Sequence, residues 1–583
     1  MSHTEPRQGG DWLLRDTATD ALLTPERLSE EHRLVGQTAA EFMANEVAPA
    51  LDDLERKDWA TGRRLIARCG ALGLLGADSP EAVGGIGLDK AAAVIVVEAI
   101  GASAAFSTMF GAQTSLALIP LLCFGAPEQQ QRYLPRLLAG EIVGAYCLSE
   151  SGAGSDAMGL RARAVRQPDG SWRLDGEKMW TTNGGFADLF IVFAKVDGEH
   201  MSAFVVERGF PGVATGQEEH KMGLHGSSTT PLVLTGAVVP ANNLLGEVGK
   251  GHKIAFNVLN YGRFKLAAMC GGGAKAALAE AARYAMARQQ FGRPIAAFGA
   301  IKHKLAEMAI RVYVVESMIY RTAGLIDDAI GGRHDDPQAV AAALEDFAAE
   351  ASLLKVAASE MMDFVVDENV QIHGGNGFVR DYPAERRYRD ARVNRIFEGT
   401  NEINRLLVPA RLIKRSQAGG PTLLDTEPTG PAAVGGDDAG NALSAARHTV
   451  SGLKRTARAL LGRAAATYGP KLPEAQEVAM LVADVVLEAF AAESALLRAE
   501  ASAADGRPLS DRHADAARVA VRDAGRRARA HAEGALAAMI DEADRPRAFD
   551  ELATTVPVEP LDEVAARRRI AAEVVRRQGY CLA

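Results

Sequence analysis

Five short segments of the chain carry residues whose types could do chemistry. In RIFEGTNEINR (395–405) a carboxylate, Glu398, sits between apolar Ile396 and Phe397 on one side and flexible Gly399 on the other, with Thr400 near a helix start. A carboxylate in an apolar, water-poor setting has a raised pKa and becomes a competent base for a weakly acidic proton. An isolated EGT triplet reads more simply as a helix-start carboxylate. YCLSESGAGSDAMGL (146–160) is polar and rich in small residues. There Gly152 and Gly154 allow close backbone approach to a ligand, while Ser149 and Ser155 supply hydroxyls. By itself this is a surface loop. KMWTTNGG (178–185) offers the flat face of Trp180 and the hydroxyls of Thr181 and Thr182, although a lone Trp is more often core. ARQQFGRPI (287–295) follows a long helical pattern, and glycine-rich QIHGGNGF (371–378) suits close contact with an adenine or a phosphate.

The elements that must position these segments fall into four stretches. Up to about residue 140 the pattern is helical: Leu34, Ala39, Phe42 and Val47 recur at helical spacing, and 91–100 (AAAVIVVEAI) reads as a buried helix. The apolar segment 114–124 is broken by Pro120. From 142 to 240 short β-type runs (171–174, 189–194, 203–206, 231–239) alternate with Asp-Gly turns, which predicts an antiparallel β domain. No GxGxxG follows a strand, so a Rossmann fold is not expected. Helical patterns return over 253–415, most clearly at 266–288 and 301–327. Residues 417–441 are rich in Gly, Pro, Thr and Asp and read as a linker. Beyond it, Val478, Leu481, Val482, Val485 and Ala489 form one apolar helical stripe.

Composition narrows the function class. The 583 residues are 48% hydrophobic and 24% charged, with a net charge of −9, which argues against a nucleic-acid binder. Cys69, Cys123, Cys147, Cys270 and Cys581 are scattered, so reduced thiols are expected and a metal site is not. His220, His225 and His373 form no ligand set. No run reads as a bilayer span and the N-terminus lacks a signal-like apolar region, so the cytoplasm is the expected compartment. The arginines at 386, 387, 389, 392 and 395 are interleaved with Asp381, Glu385 and Asp390 and read as a salt-bridged surface. Arg518, Arg522, Arg526 and Arg529 read as a solvated face beside Asp511, Asp515 and Asp523, with a membrane patch as the less favoured reading.

Taken together, in this order and spacing, the five segments resemble the acyl-CoA dehydrogenase family over residues 30–415, and FEGTNE is the most specific of them. LNYGRF (259–264), AFVVERGF (203–210), KMG (221–223) and the C-terminal extension resemble the very-long-chain branch and long bacterial members. Gly299 also resembles that branch, where shorter-chain members usually carry Gln. The resemblance implies an α+β fold: an N-terminal helical domain (1–141), a middle antiparallel β domain (142–245), a C-terminal four-helix bundle (246–415), a linker (416–440) and an extra helical domain (441–583).

The resemblance also implies FAD as cofactor. Tyr146, Leu148, Ser149, Gly154 and Ser155 match the loop lining the flavin ring, with Ser149 where Thr is usual; Ser155 is shared with the CoA surroundings. Trp180 and Thr182, with Thr181 between them, match residues beside the flavin N5 edge. Arg288, Gln290 and Phe291 match residues donated by a neighbouring subunit, Gln371, Gly374 and Gly375 the adenine-side loop, and Thr400 and Glu402 further flavin contacts. Asn260, Arg263 and Gly399 match substrate-side positions. Glu398 matches the base that removes the α-proton while the β-hydrogen leaves as hydride to the flavin. Position 262, where some branches place the base instead, is Gly.

The implied reaction converts acyl-CoA to trans-2-enoyl-CoA in fatty-acid β-oxidation and passes electrons to an electron-transfer flavoprotein. Long straight chains are favoured, although Ala117 and Pro120 stand where the very-long-chain enzymes open the pocket floor with glycines. A homodimer is expected. The competing readings are a non-catalytic assembly protein on the same scaffold and an acyl-CoA oxidase.

Overall fold

The computed structural model describes residues 8–425 and 442–582. Of the expected linker, residues 426–440 lie outside the described residues. The N-terminal segment is helical from Glu30 through Glu55, by way of a wide turn at Met43–Val47 and a tight one at Ala48–Ala50 that absorbs Pro49. Ala39, Phe42 and Val47 are buried as the spacing predicts, but Leu34 is 64% exposed. Helix α1 (Lys90–Ile100) is apolar almost all round and is a core element.

The path from Ala104 to Phe124 is not broken at Pro120. A wide turn at Ala112–Ala117 lets it continue as one 21-residue helical stretch, long and apolar enough to cross a membrane, against expectation. Its most apolar window is 83% buried inside the structure, as in the core helix of a folded domain.

The β layer comprises β1 (Gly144–Cys147), β2 (Arg163–Arg166), β3 (Trp172–Thr182), β4 (Leu189–Val196), β5 (His200–Glu207), β6 (Val213–Thr215), β7 (Thr229–Val239) and β8 (Leu244–Leu245). Its order is β6-β7-β3-β2-β4-β5-β8 with β1 beside β4. The antiparallel expectation holds except that β1 and β2 both run parallel to β4. The register of β3 against β7 slips between Lys178 and Thr181, and that bulge matters below.

Helices α2 (Gly251–Ala287), α3 (Gly299–Ile330), α4 (Ala348–His373) and α5 (Asn401–Gln417) form the following bundle. At Gly272 an added Cβ would lie 1.7 Å from the carbonyl oxygen of Glu98, so α1 and α2 can only touch there through backbone.

Four further helices, α6 (Ser444–Tyr468), α7 (Gln476–Ala504), α8 (Ser510–Met539) and α9 (Glu563–Arg577), add a layer over α3 and α5. The apolar stripe on α7 is covered within the chain: Val482, Val485 and Ala489 are fully buried. The arginine stripe on α8 is a solvated face only at Arg526, which is exposed. Arg518 pairs with Glu559, Arg522 with Glu563, and Arg529 donates to the carbonyl of Val556, so these three fasten α8 to residues 553–563. Three of the five arginines of 386–395 form ion pairs, partly with other elements: Arg387 with Glu280 and Arg395 with Asp363, alongside Arg389 with Glu385.

Candidate active site

Glu398 lies in the turn that enters α5, and its backbone is left-handed (φ 58°), as is that of Gly399 (φ 79°). A side-chain-bearing residue adopts this conformation only when its surroundings enforce it. Four side chains hold the turn here. Arg263 on α2 donates its Nε to the Glu398 carbonyl at 3.0 Å, and the buried Asn404 amide donates to the carbonyls of Gly399 (2.9 Å) and Thr400 (3.0 Å). Thr400 caps α5 by accepting from the Ile403 N–H. Lys355 on α4 anchors the first residue of α5 through Asn401 at 2.7 Å.

The carboxylate faces a cavity of about 80 Å³ lined by Val97, Phe110, Leu116, Leu266, Met269 and Phe397 among others. Ile396, expected to shield it, is 53% exposed; the apolar surroundings come from α1, residues 107–116 and α2 instead. Glu398 Oε2 is enclosed without a hydrogen-bond partner. Burial pushes the carboxyl up to about 7 against the opposing charges of Arg263 and Lys355. Gly262 stands directly opposite: a Cβ there would lie 2.8 Å from Oε2. Asn260 and Arg263, expected at the CoA arm, are buried and bonded to each other at 3.2 Å, and Arg263 turns to Glu398.

The 146–160 segment enters this region from β1. The Tyr146 ring packs edge-on against Phe193, and its buried hydroxyl has no partner and is pushed up by burial and by the Glu398 charge. The following loop is pinned to β3. Met179 N–H donates to the Ser149 carbonyl, and Lys178 Nζ reaches the Leu148 carbonyl at 3.2 Å and Glu150 at 2.6 Å. Glu150 also accepts from the N–H groups of Arg161 and Ala162. This buried Lys178–Glu150 pair was legible only as two charges inside otherwise small or apolar segments. Gly154 and Ser155 are exposed.

Trp180 sits in the β3 bulge with φ 54° and is 58% exposed, as a bulge re-aims a side chain out of a sheet. Its neighbour Thr181 is fully buried against Cys147, and Thr182 lines the cavity with Glu398.

Two other predicted segments share a second location. Arg288, Gln290 and Phe291 lie on an exposed hairpin after α2, whose turn is left-handed at Phe291 and Gly292. Phe291 is 91% exposed. Gln371, Gly374 and Gly375 lie at the end of α4, tied to the hairpin's base because Tyr284 stacks on His373 at 4.0 Å and accepts from Asn376. The exposed Glu402 is in the first turn of α5.

Four family profiles match this chain: acyl-CoA dehydrogenase N-terminal domain over 29–141, middle domain over 145–237, and C-terminal domain twice, over 249–413 and 452–550. A "Probable acyl-CoA dehydrogenase" of Bacillus subtilis is 44% identical over 86% of both chains. The chain belongs to the acyl-CoA dehydrogenase family. A crystal structure of acyl-CoA dehydrogenase complexed with FAD from Bacillus anthracis is 41% identical, covers 98% of this chain and 100% of its own, and superposes with a TM-score of 0.95. The very long-chain specific acyl-CoA dehydrogenase of Rattus norvegicus is 42% identical, over 58% of this chain and 51% of the rat protein.

FAD is the cofactor of this oxidoreductase family, and the residues present fit it. At Gly152, Gly154 and Gly375 an added Cβ would meet nothing within 4 Å, so this chain's own packing does not ask for glycine there. Trp180, Phe291 and Phe378 leave large apolar faces uncovered (58, 91 and 87% exposed) on the same segments. The Tyr146 hydroxyl is a buried polar group without a partner in the chain.

Proposed function

We propose that this chain dehydrogenates acyl-CoA at the α,β position, with Glu398 as the base and one FAD per chain. The observation that carries this reading is the enclosed carboxylate of Glu398, raised to about 7 and held by a left-handed turn against an apolar cavity. Tyr146, Leu148, Ser149, Gly154, Ser155, Trp180, Thr181 and Thr182 would hold the flavin half of the cofactor, and Thr400 and Glu402 would add contacts from α5. Gln371, Gly374 and Gly375 would hold the adenine side, joined by Arg288, Gln290 and Phe291 of a neighbouring copy. When bound, FAD supplies the two-electron acceptor for the β-hydrogen. The chain's own part is to exclude water and take the α-proton on a Glu398 oxygen. Arg263 and Lys355 keep that oxygen ionisable despite burial. The left-handed turn leaves the backbone N–H of Glu398 available to a thioester oxygen, an oxyanion-type contact.

Long straight chains are the favoured substrates. Gly262 and Gly111 leave the cavity wall open, and Ala117 and Pro120 do not line it; Ala117 packs instead where a Cβ on Gly144 would lie 2.3 Å away. An electron-transfer flavoprotein is the proposed acceptor, the cytoplasm the proposed compartment, in keeping with five buried free thiols, and a homodimer the proposed assembly. The test is anaerobic titration of the purified yellow protein with acyl-CoAs of graded length. Flavin bleaching should be strongest with long chains; a colourless protein that cannot be reconstituted with FAD would sink the reading.

A further inference from the structure

The cavity beside Glu398 is not uniformly apolar. Lys265 lines it, one turn of α2 beyond Gly262, which faces the carboxylate. Lys265 is 7% exposed, and its ammonium has a single long hydrogen bond, 3.4 Å to Thr114 Oγ1, besides lying 4.8 Å from the centre of the Tyr261 ring. The nearby anion, Asp78, is already engaged: Lys90 pairs with it at 2.6 Å and the Tyr261 hydroxyl donates to it. Among the described residues no carboxylate lies within ion-pair distance of Lys265. On the same wall, Ser115 is 3% exposed and its hydroxyl has no partner in the chain. Ser107 and Thr108, also on the wall, donate to the Ala104 carbonyl and are satisfied.

A buried ammonium with one long hydrogen bond and a buried hydroxyl with none are costly against plain hydrocarbon and become favourable when an oxygen meets them. We propose that this cavity takes acyl chains carrying an oxygen acceptor, a hydroxyl, carbonyl or carboxylate, at the depth of Lys265 and Ser115, about one helical turn beyond the reacting carbons. This narrows the substrate class given above and rests on that reading.

The experiment compares kcat/KM of the FAD-loaded enzyme for plain, ω-hydroxy and ω-carboxy acyl-CoAs of matched length. At the length that reaches Lys265, the oxygenated chain should exceed the plain one about tenfold, the factor for one hydrogen bond to a charged group. A carboxylate preferred over a hydroxyl assigns the effect to the charge, and equal preference assigns it to hydrogen bonding; both support the proposal. Lys265→Met should erase that ratio and Lys265→Arg should keep it. If the Met variant does not hold FAD, the wild-type ratio for the carboxylate chain is followed from pH 7 to 9. Burial next to Lys90, partly offset by Asp78, lowers Lys265 to about 8, so the ratio should fall across that range. Plain chains preferred at every length, a ratio unchanged in Lys265→Met, or a ratio flat with pH would overturn the proposal and leave dehydrogenation standing. Absence of bleaching with every thioester would overturn both.

Discussion

The region around Glu398 and the added layer of α6 to α9 are built on opposite terms. In the added layer, buried charges find partners inside the chain. Arg498, fully buried, pairs with Glu26 and Glu316 and donates to the Leu582 carbonyl; Arg567 meets Glu307, Asp523 and Glu563; Arg321 of α3 reaches Glu493 of α7. Around Glu398, by contrast, Glu398 Oε2, the Tyr146 hydroxyl and Asn404 Oδ1 are enclosed without partners, the backbone is left-handed, and Trp180 stands exposed. The added layer also holds enclosed atoms without partners, Ser502 Oγ, His513 Nδ1 and Glu559 Oε2 among them, so what marks the Glu398 region is that its exceptions come with a cavity, a raised carboxyl and an exposed Trp180. One region is cover and the other is a site.

The sharpest way to break this contrast is to remove the cover. Truncation after Gly420 would strip Arg498 from Glu316, which keeps Lys275, and Glu493 from Arg321, and would open both groups to water. It would also uncover the α3 and α5 faces. The expected outcome is aggregation, tetramers or loss of FAD, whereas light scattering of the intact protein should give a dimer. A truncated chain that stays a well-behaved, yellow dimer would show that the layer is dispensable.

Within the site, Glu398→Gln should keep FAD and acyl-CoA binding and lower the bleaching rate by about 10³-fold or more, the range expected for loss of a positioned base. In the wild type the rate should rise with pH through about 7, since only the ionised carboxylate accepts a proton. The stability linkage has the opposite sign. Because the folded carboxyl titrates above its ordinary 4.5, its protonated form favours the fold below that value, and the contribution is lost as pH rises through about 7. Near-normal turnover in the Gln variant would place the base elsewhere.

Much of this was readable in the sequence, for identifiable reasons. The FEGTNE segment, the glycine-rich loops and the change from helical to alternating periodicity are local patterns, and the helices and strands follow them closely. What was not readable depends on long-range packing. That Arg263 turns back to Glu398 rather than outward depends on how α2 meets the α5 turn, which is 135 residues away along the chain. Lys355 and Lys265 carry no motif, because a lysine inside a helical pattern looks the same whether it faces water or a carboxylate, and Asn404, though inside 395–405, shows its role only once the turn before it is folded. The Arg518–Arg529 stripe misled for the same reason: its partners come from 553–563, not from the aspartates beside it.

Gly262→Ala sharpens the contrast at a single atom. The new Cβ would sit 2.8 Å from Glu398 Oε2 and 3.0 Å from its Cδ, inside van der Waals contact, so the carboxylate must swing away. A displacement of about 1 Å at a reacting group costs on the order of 10²-fold in rate. FAD binding and thermal stability should change little, because α2 gains helix propensity from Ala. A rate within a factor of two of wild type would mean that the carboxylate is less confined than its geometry indicates.

The smallest effect expected is that of Arg263→Lys, and it separates positioning from charge. The substitution keeps a cation near Glu398 but removes the planar fork whose Nε holds the Glu398 carbonyl while Nη1 reaches Asn260. If Arg263 acts chiefly by charge, the acid limb of the bleaching profile stays near 7 and the rate is unchanged. If it acts chiefly by holding the left-handed turn, the limb moves little but the limiting rate falls about tenfold, since the strained backbone then loses one of the groups that enforce it. The geometry favours the second outcome, because the guanidinium bonds to the backbone of Glu398 and not to its carboxylate. Arg263→Met removes both contributions and, by taking away an opposing positive charge, should move the limb to higher pH as well. A Met variant with an unshifted limb would show that Lys355 alone sets the electrostatics of the base.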